Sequence, residues 1–223
     1  MTGAVPRPRP STVILLSGRG SNMKVIADAA RSGQLLIDVR AVLSDRADAP
    51  GLATARMLGI ATTVVTAAPG SARSDYDREL AAHVRDHAPE LIVLAGFMRI
   101  LSPPFVEEFL GRTLNIHPSL LPKYRGLHTH RRVLAAHEAT HGASVHFVTA
   151  ELDGGPVVMQ GRLAIRPGDD ERTLATRVQA LEHRIYPEAI SCLAAGRLRW
   201  NDGKVELDGT ALAAPRIIEE GDS

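Results

Sequence analysis

From Thr12 onward, short apolar runs rich in β-branched residues alternate with stretches of helical length, and that alternation leaves few folds open. Thr12–Leu16 is the first run; Leu36–Leu43, Ala61–Val65, Glu90–Ala95 and Thr113–His117 follow it. The run at Glu90 is almost uniformly apolar, as a strand covered on both faces should be. Ser21–Ser32 carries Met23, Val25, Ile26, Ala29 and Ala30 at helical spacing, with Gly33 where a C-cap belongs. Pro50 and Gly51 open a second helix, and Gly59 stops it. Ser74 is placed to cap a third, which ends ahead of Pro89, and a short helix is predicted over 103–110. Repeated β-α-β order dictates an α/β fold, doubly wound, with a mostly parallel sheet. Ser144–Val148 and Val157–Ile165, joined by a turn at Asp153-Gly154-Gly155, predict an antiparallel C-terminal extension. Asp169 or Asp170 caps a long helix to about Ala195, and residues 197–207 read as a hairpin turning at Asn201-Asp202-Gly203.

The Pro- and Arg-rich residues 1–11 read as a disordered tail, residues 12–210 as a single domain and residues 211–223 as a C-terminal tail. Net charge is +1, from 26 basic and 25 acidic residues, which leaves no footprint for nucleic acid or an acidic membrane. No apolar run approaches the ~18 residues of a membrane span. The single Cys192 excludes an internal disulfide framework and suits a reducing cytoplasm. A homodimer stays open, with no face for it in the sequence.

Ligands of doubly wound folds gather at the carboxyl ends of the strands, and the polar motifs of this chain lie there. Ser17-Gly18-Arg19-Gly20-Ser21-Asn22 follows the first strand and opens a helix, so its amides can face an anion. The plainer reading is a tight turn with Ser21 or Asn22 as N-cap. Met23 stands where a dinucleotide fingerprint needs its third glycine, and no Gly-Lys-Ser/Thr ending is present. A phosphomonoester therefore fits this loop better than NAD or ATP.

Asn115 and His117 lie two apart on the fifth strand, so they point to one side. An amide donor beside an imidazole can grip and protonate one carbonyl oxygen. Asp153, from the later turn, can orient that imidazole. This is acyl-transfer equipment without a protein nucleophile, so the attacking group belongs to a substrate. Six histidines (His117, His128, His130, His137, His141 and His146) raise the question of a metal, but no Cys/His framework or His-Glu-x-x-His spacing accompanies them, and no metal is expected. Most read as polar loop residues around a cleft; His146, within a strand, is assigned to the site.

The ordered set Ser17–Asn22, Leu94–Ser102, Leu114–Lys123, His141–Val148 and Glu151–Pro156 resembles the phosphoribosylglycinamide formyltransferases over about residues 12–210. The resemblance implies a Rossmann-like formyltransferase fold, 10-formyltetrahydrofolate as co-substrate and glycinamide ribonucleotide as acceptor. It implies that Asn115, His117 and Asp153 are catalytic. It puts the ribonucleotide on Gly20, Ser21, Asn22, Met23, Lys24, Gln179 and Glu182. It puts the folate on Arg73, Met98, Arg99, Ile100, Leu101, Asn115, His146, Thr149, Ala150, Glu151, Leu152 and Asp153. It also divides the labour, with ribonucleotide phosphate in the N-terminal half and folate and catalysis in the C-terminal half. Arg19 and Arg125 depart from the usual pattern and add charge near the substrates. Two other readings compete: a 10-formyltetrahydrofolate hydrolase, and a non-catalytic folate- or nucleotide-binding protein. Leu121–Pro122 is a candidate cis bond.

Overall fold

The computed structural model describes residues 9–70, 72–201 and 203–221. Strands β1 (Ser11–Leu16), β2 (Asp38–Ser44), β3 (Ala61–Val64), β4 (Leu91–Leu94) and β5 (Thr113–His117) pair in parallel. Helices α1 (Ser21–Ser32), α2 (Pro50–Met57), α3 (Arg73–Arg85) and α4 (Pro103–Glu108) connect them. Helix α5 (Thr129–Ala135) precedes strands β6 (Thr140–Phe147) and β7 (Val157–Ala164), which extend the sheet antiparallel. The long helix α6 (Glu171–Ala194) then crosses back and runs through Pro187. β8 (Leu198–Asn201), β9 (Lys204–Leu207) and β10 (Thr210–Ala211) form a small antiparallel sheet, and β11 (Arg216–Glu219) ends the series. The main sheet has eight strands in the order β11-β7-β6-β5-β4-β1-β2-β3.

Period-two alternation sends the side chains of β1 into two apolar clusters, one on each face of the sheet. On β1, Ile14 and Leu16 enter one apolar cluster with Met23 and Ile26 of α1 and Ile185 of α6. Val13 and Leu15 enter the other, with Tyr76, Leu80 and Val84 of α3 and Phe105 near the start of α4. Both faces are buried, as the apolar run at Glu90 requires of its neighbours.

Some local expectations need correction. Ser21 and Asn22 are not caps of α1; Gly20 is, in the left-handed conformation with φ 74°. Ser74 is not the cap of α3, which begins one residue earlier after an extended Ala72. The long helix is capped as expected, by Asp170, in a reciprocal box with Thr173. The chain from 211 is not simply a tail. β11 pairs in parallel with β7, and Arg177 of α6 donates to both carboxylate oxygens of Glu220 just beyond it. A four-residue edge strand straight after Pro215 carries too little apolar pattern to be read from sequence. Ser11 likewise belongs to β1 rather than to the tail. The remainder of that tail, residues 1–8, and Asp202 of the hairpin turn lie outside the described residues. His141 is not a loop residue; it is buried on β6. No helix among the described residues is long and apolar enough to cross a membrane.

Candidate active site

The end of β5 sets the site. Asn115 is opposite His146 of β6, and His117 is opposite Ser144. A register shift between Val145 and His146 interrupts the β6–β7 ladder at this point, the kind of irregularity that re-aims a side chain. Asp153 reaches the site from the loop between β6 and β7, where its own backbone is left-handed at φ 47°. Its Oδ2 lies 3.4 Å from His117 Nδ1 and accepts the Gly126 amide at 2.9 Å. His117 Nε2 donates to the Tyr124 carbonyl at 3.0 Å, because a carbonyl can only accept. The ring is thus held by its Nε2 hydrogen bond to the backbone, with the Asp153 carboxylate facing Nδ1.

His146 is buried, and its Nδ1 donates to the Phe147 carbonyl at 2.9 Å. Nε2 is then the acceptor, and Asn115 Nδ2 donates to it at 3.0 Å. Burial pushes the His146 pKa below the ordinary value, in keeping with a neutral ring in this role. Asn115 keeps one amide hydrogen free for a ligand. The three residues expected to be catalytic therefore converge, and His146 joins them 3.8 Å from Asp153 Oδ1.

Two clefts open here. One, of about 80 Å³, is bounded by Arg99–Leu101, Asn115, His146 and 149–153. The other, of about 420 Å³, is bounded by the glycine loop, Arg46, Met98, Ile116, Gln179 and Glu182. α6 meets the loop directly: Gln179 Nε2 donates to Ser21 Oγ at 3.0 Å, and Asn22 Nδ2 donates to Glu182 Oε2 at 2.8 Å. Burial raises the Glu182 pKa above the usual carboxylate value, with the Asn22 bond pulling the other way.

Four of the expected ligand residues sit elsewhere. Met23 is fully buried in the core, and Lys24 pairs with Asp28 at a largely exposed position on α1. Met98 borders the larger cleft rather than the smaller. Arg73 lines neither; its Nη2 donates to the Leu101 carbonyl at 2.8 Å. Sequence reasoning missed Arg46, held by Asp48 beside the glycine loop, and Gly51. A Cβ on Gly20 would stand 2.8 Å from Gly51 Cα, and the Gly51 amide donates to Gly18 O at 3.0 Å. The close approach that Met23 denies to the loop is supplied by a glycine of the next helix. A Pro-Gly pair read only as a helix start was the available signal. Among the described residues no group of three or more His, Cys, Asp or Glu side chains is arranged to hold a metal.

The formyl transferase family matches residues 11–190. The Escherichia coli phosphoribosylglycinamide formyltransferase is 52% identical over 200 residues, spanning 90% of this chain and 94% of that protein. The chain belongs to the phosphoribosylglycinamide formyltransferases. The Coxiella burnetii structure of a phosphoribosylglycinamide formyltransferase superposes with a TM-score of 0.90 at 49% identity, covering 94% of this chain and 99% of that one. A formyltetrahydrofolate deformylase from Pseudomonas putida has the same fold at a TM-score of 0.82 but only 25% identity, with 72% of its own chain covered. The phosphoribosylglycinamide formyltransferases thus match this chain over nearly its whole length.

Proposed function

We propose that this chain transfers the formyl group of 10-formyltetrahydrofolate to the amine of glycinamide ribonucleotide, a step of purine synthesis. One observation carries the reading at the level of the site. Adjacent residues of β5 border different clefts, Asn115 the smaller and Ile116 the larger, so ligands in the two clefts meet at the strand end. The larger cleft suits the ribonucleotide. The amides of the first turn of α1 have no intrahelical acceptors and favour its phosphate, with Arg46 beside them. The smaller cleft suits the pterin.

The substrate amine attacks the formyl carbon, and the carbonyl oxygen becomes an oxyanion. The free Asn115 N–H and the His117 imidazolium stabilise that oxygen. Collapse of the tetrahedral intermediate breaks the bond to N10 of the folate, and a proton passes from the attacking amine to that nitrogen by way of His117. Asp153 holds the His117 ring and balances its charge. The products are formylglycinamide ribonucleotide and tetrahydrofolate, and the residues named need no metal for these steps. The buried, free Cys192 accords with a reducing cytoplasm.

Turnover with both substrates, followed by the absorbance change as deformylated folate is released, tests the reading. Signal should require the ribonucleotide. His117→Ala should lose roughly 10²–10⁴ in kcat while folate binding persists. Equal signal without the ribonucleotide would mean hydrolysis, and wild-type binding without turnover would mean a binding protein.

A further inference from the structure

Residues 95–102, between β4 and α4, include one wall of the smaller cleft and form neither helix nor strand. With no ladder to hold it, such a backbone keeps its shape only through bonds from outside. Its near end is held by Ser17, whose Oγ accepts the Met98 amide at 2.8 Å. Its far end is held by α3. Arg73 Nη2 donates to the Leu101 carbonyl at 2.8 Å, and Asp77 Oδ2 accepts the Ser102 amide at 2.6 Å. Those two groups belong to a single peptide plane, so both its ends are fixed and its rotation is blocked. A third contact completes the set: the Arg99 guanidinium lies 4.0 Å above the ring centroid of Tyr76. Arg73, Tyr76 and Asp77 are spaced i, i+3, i+4, the spacing of one helix face.

Asp77 is the residue that packing alone leaves unexplained. It is 2% exposed, and its Oδ1 is buried without a hydrogen-bond partner. A buried carboxylate with half its acceptors idle is costly. Its one short hydrogen bond goes to the backbone of the cleft wall, and its nearest cation, Arg73 Nε at 3.9 Å, belongs to the residue gripping the same peptide.

We propose that Asp77 is a positioning residue for the formyl donor: with Arg73 it fixes the Leu101–Ser102 peptide, with Tyr76 placing Arg99, and so shapes the wall on which the donor binds. This rests on the smaller cleft being the donor site. Asp77 touches no substrate and acts only through 99–102.

The test varies each substrate in turn for Asp77→Ala and Asp77→Asn, and follows hydrogen exchange of the Ser102 amide by NMR without ligands. Loss of a hydrogen bond to a charged group is worth about tenfold or more, so Asp77→Ala should raise KM for 10-formyltetrahydrofolate by about that factor. KM for the ribonucleotide should stay unchanged, and Ser102 exchange should accelerate. Asp77→Asn keeps an acceptor oxygen and should restore most of both effects. If Asp77→Ala does not fold, Arg73→Ala, at a half-exposed position, must give the same split between the two KM values. Equal rises in both KM values, or a donor KM indifferent to faster Ser102 exchange, would overturn the proposal. A wild type that shows no ribonucleotide-dependent turnover defeats the formyl-transfer reading instead.

Discussion

Gly20→Ala probes the glycine loop where its geometry is tightest. Gly20 caps α1 at φ 74°, a conformation that costs an L-residue roughly 1–2 kcal/mol. The new methyl would also stand 2.8 Å from Gly51 Cα and 3.3 Å from Leu16 Cδ2 and Met23 Cε. The first of these is backbone and cannot swing aside, and overpacking of this kind typically costs about 1–3 kcal/mol. Together the two effects amount to about 2–5 kcal/mol. At about 2–4 °C per kcal/mol for a chain of this size, the melting temperature should fall by roughly 4–20 °C. Gly18→Ala is the internal control: a Cβ there meets nothing within 4 Å, and its φ lies outside the left-handed range. Its melting temperature should stay near that of the wild type. Relief of the clash must displace backbone at the start of α1, which lines the larger cleft, and a displacement of about 1 Å can cost about 10² in rate. kcat/KM for glycinamide ribonucleotide should therefore drop on that order in Gly20→Ala. Thermal unfolding of the two variants and the wild type, with steady-state kinetics, decides the matter. Equal melting temperatures for Gly18→Ala and Gly20→Ala would refute the packing argument.

Two predictions concern pH. Burial raises the Glu182 pKa above its ordinary 4.5, so the protonated carboxyl favours the folded state below 4.5, and that contribution is lost as pH rises through the raised value. Glu182→Gln should therefore gain melting temperature over the wild type at neutral pH and show no gain well below 4.5, while binding the ribonucleotide more weakly; a gain that grows on acidification would contradict this. His141 is shifted the other way, its pKa pushed down to about 4 chiefly by burial, with His130 3.0 Å away as its hydrogen-bond partner. Its contribution is present above 6.5 and lost as pH falls toward 4, so His141→Gln should lose less stability across that interval than the wild type does, in denaturant titrations at a series of pH values.

What could be read locally was read from spacing and period. Apolar runs marked β1 to β5, Gly33 and Gly59 ended their helices, and Asn115 and His117 fell on one side of a strand because side chains alternate. Those properties depend on residues a few positions apart, which the chain's own covalent geometry couples. The motif at 114–122 and the Asp-Gly-Gly turn were legible as pieces for the same reason. Their assembly was not. Asp153 meets His117 only because β6 returns antiparallel beside β5 and the loop beyond it adopts a left-handed turn. Gln179 and Glu182 reach Ser21 and Asn22 across sequence separations of 158 and 160, because α6 packs on α1. Arg46 enters the larger cleft because β2 lies next to β1 in the sheet. Arg73, expected in the folate cleft, holds that cleft's backbone from behind. β11, expected as tail, joins the sheet through backbone hydrogen bonds that any sequence but proline can make. Strand order, loop handedness and backbone pairing are settled by the global competition for burial and hydrogen bonds. They leave little trace in composition or period, so the sequence by itself determined the parts and their chemistry, while only the tertiary structure decided which parts meet.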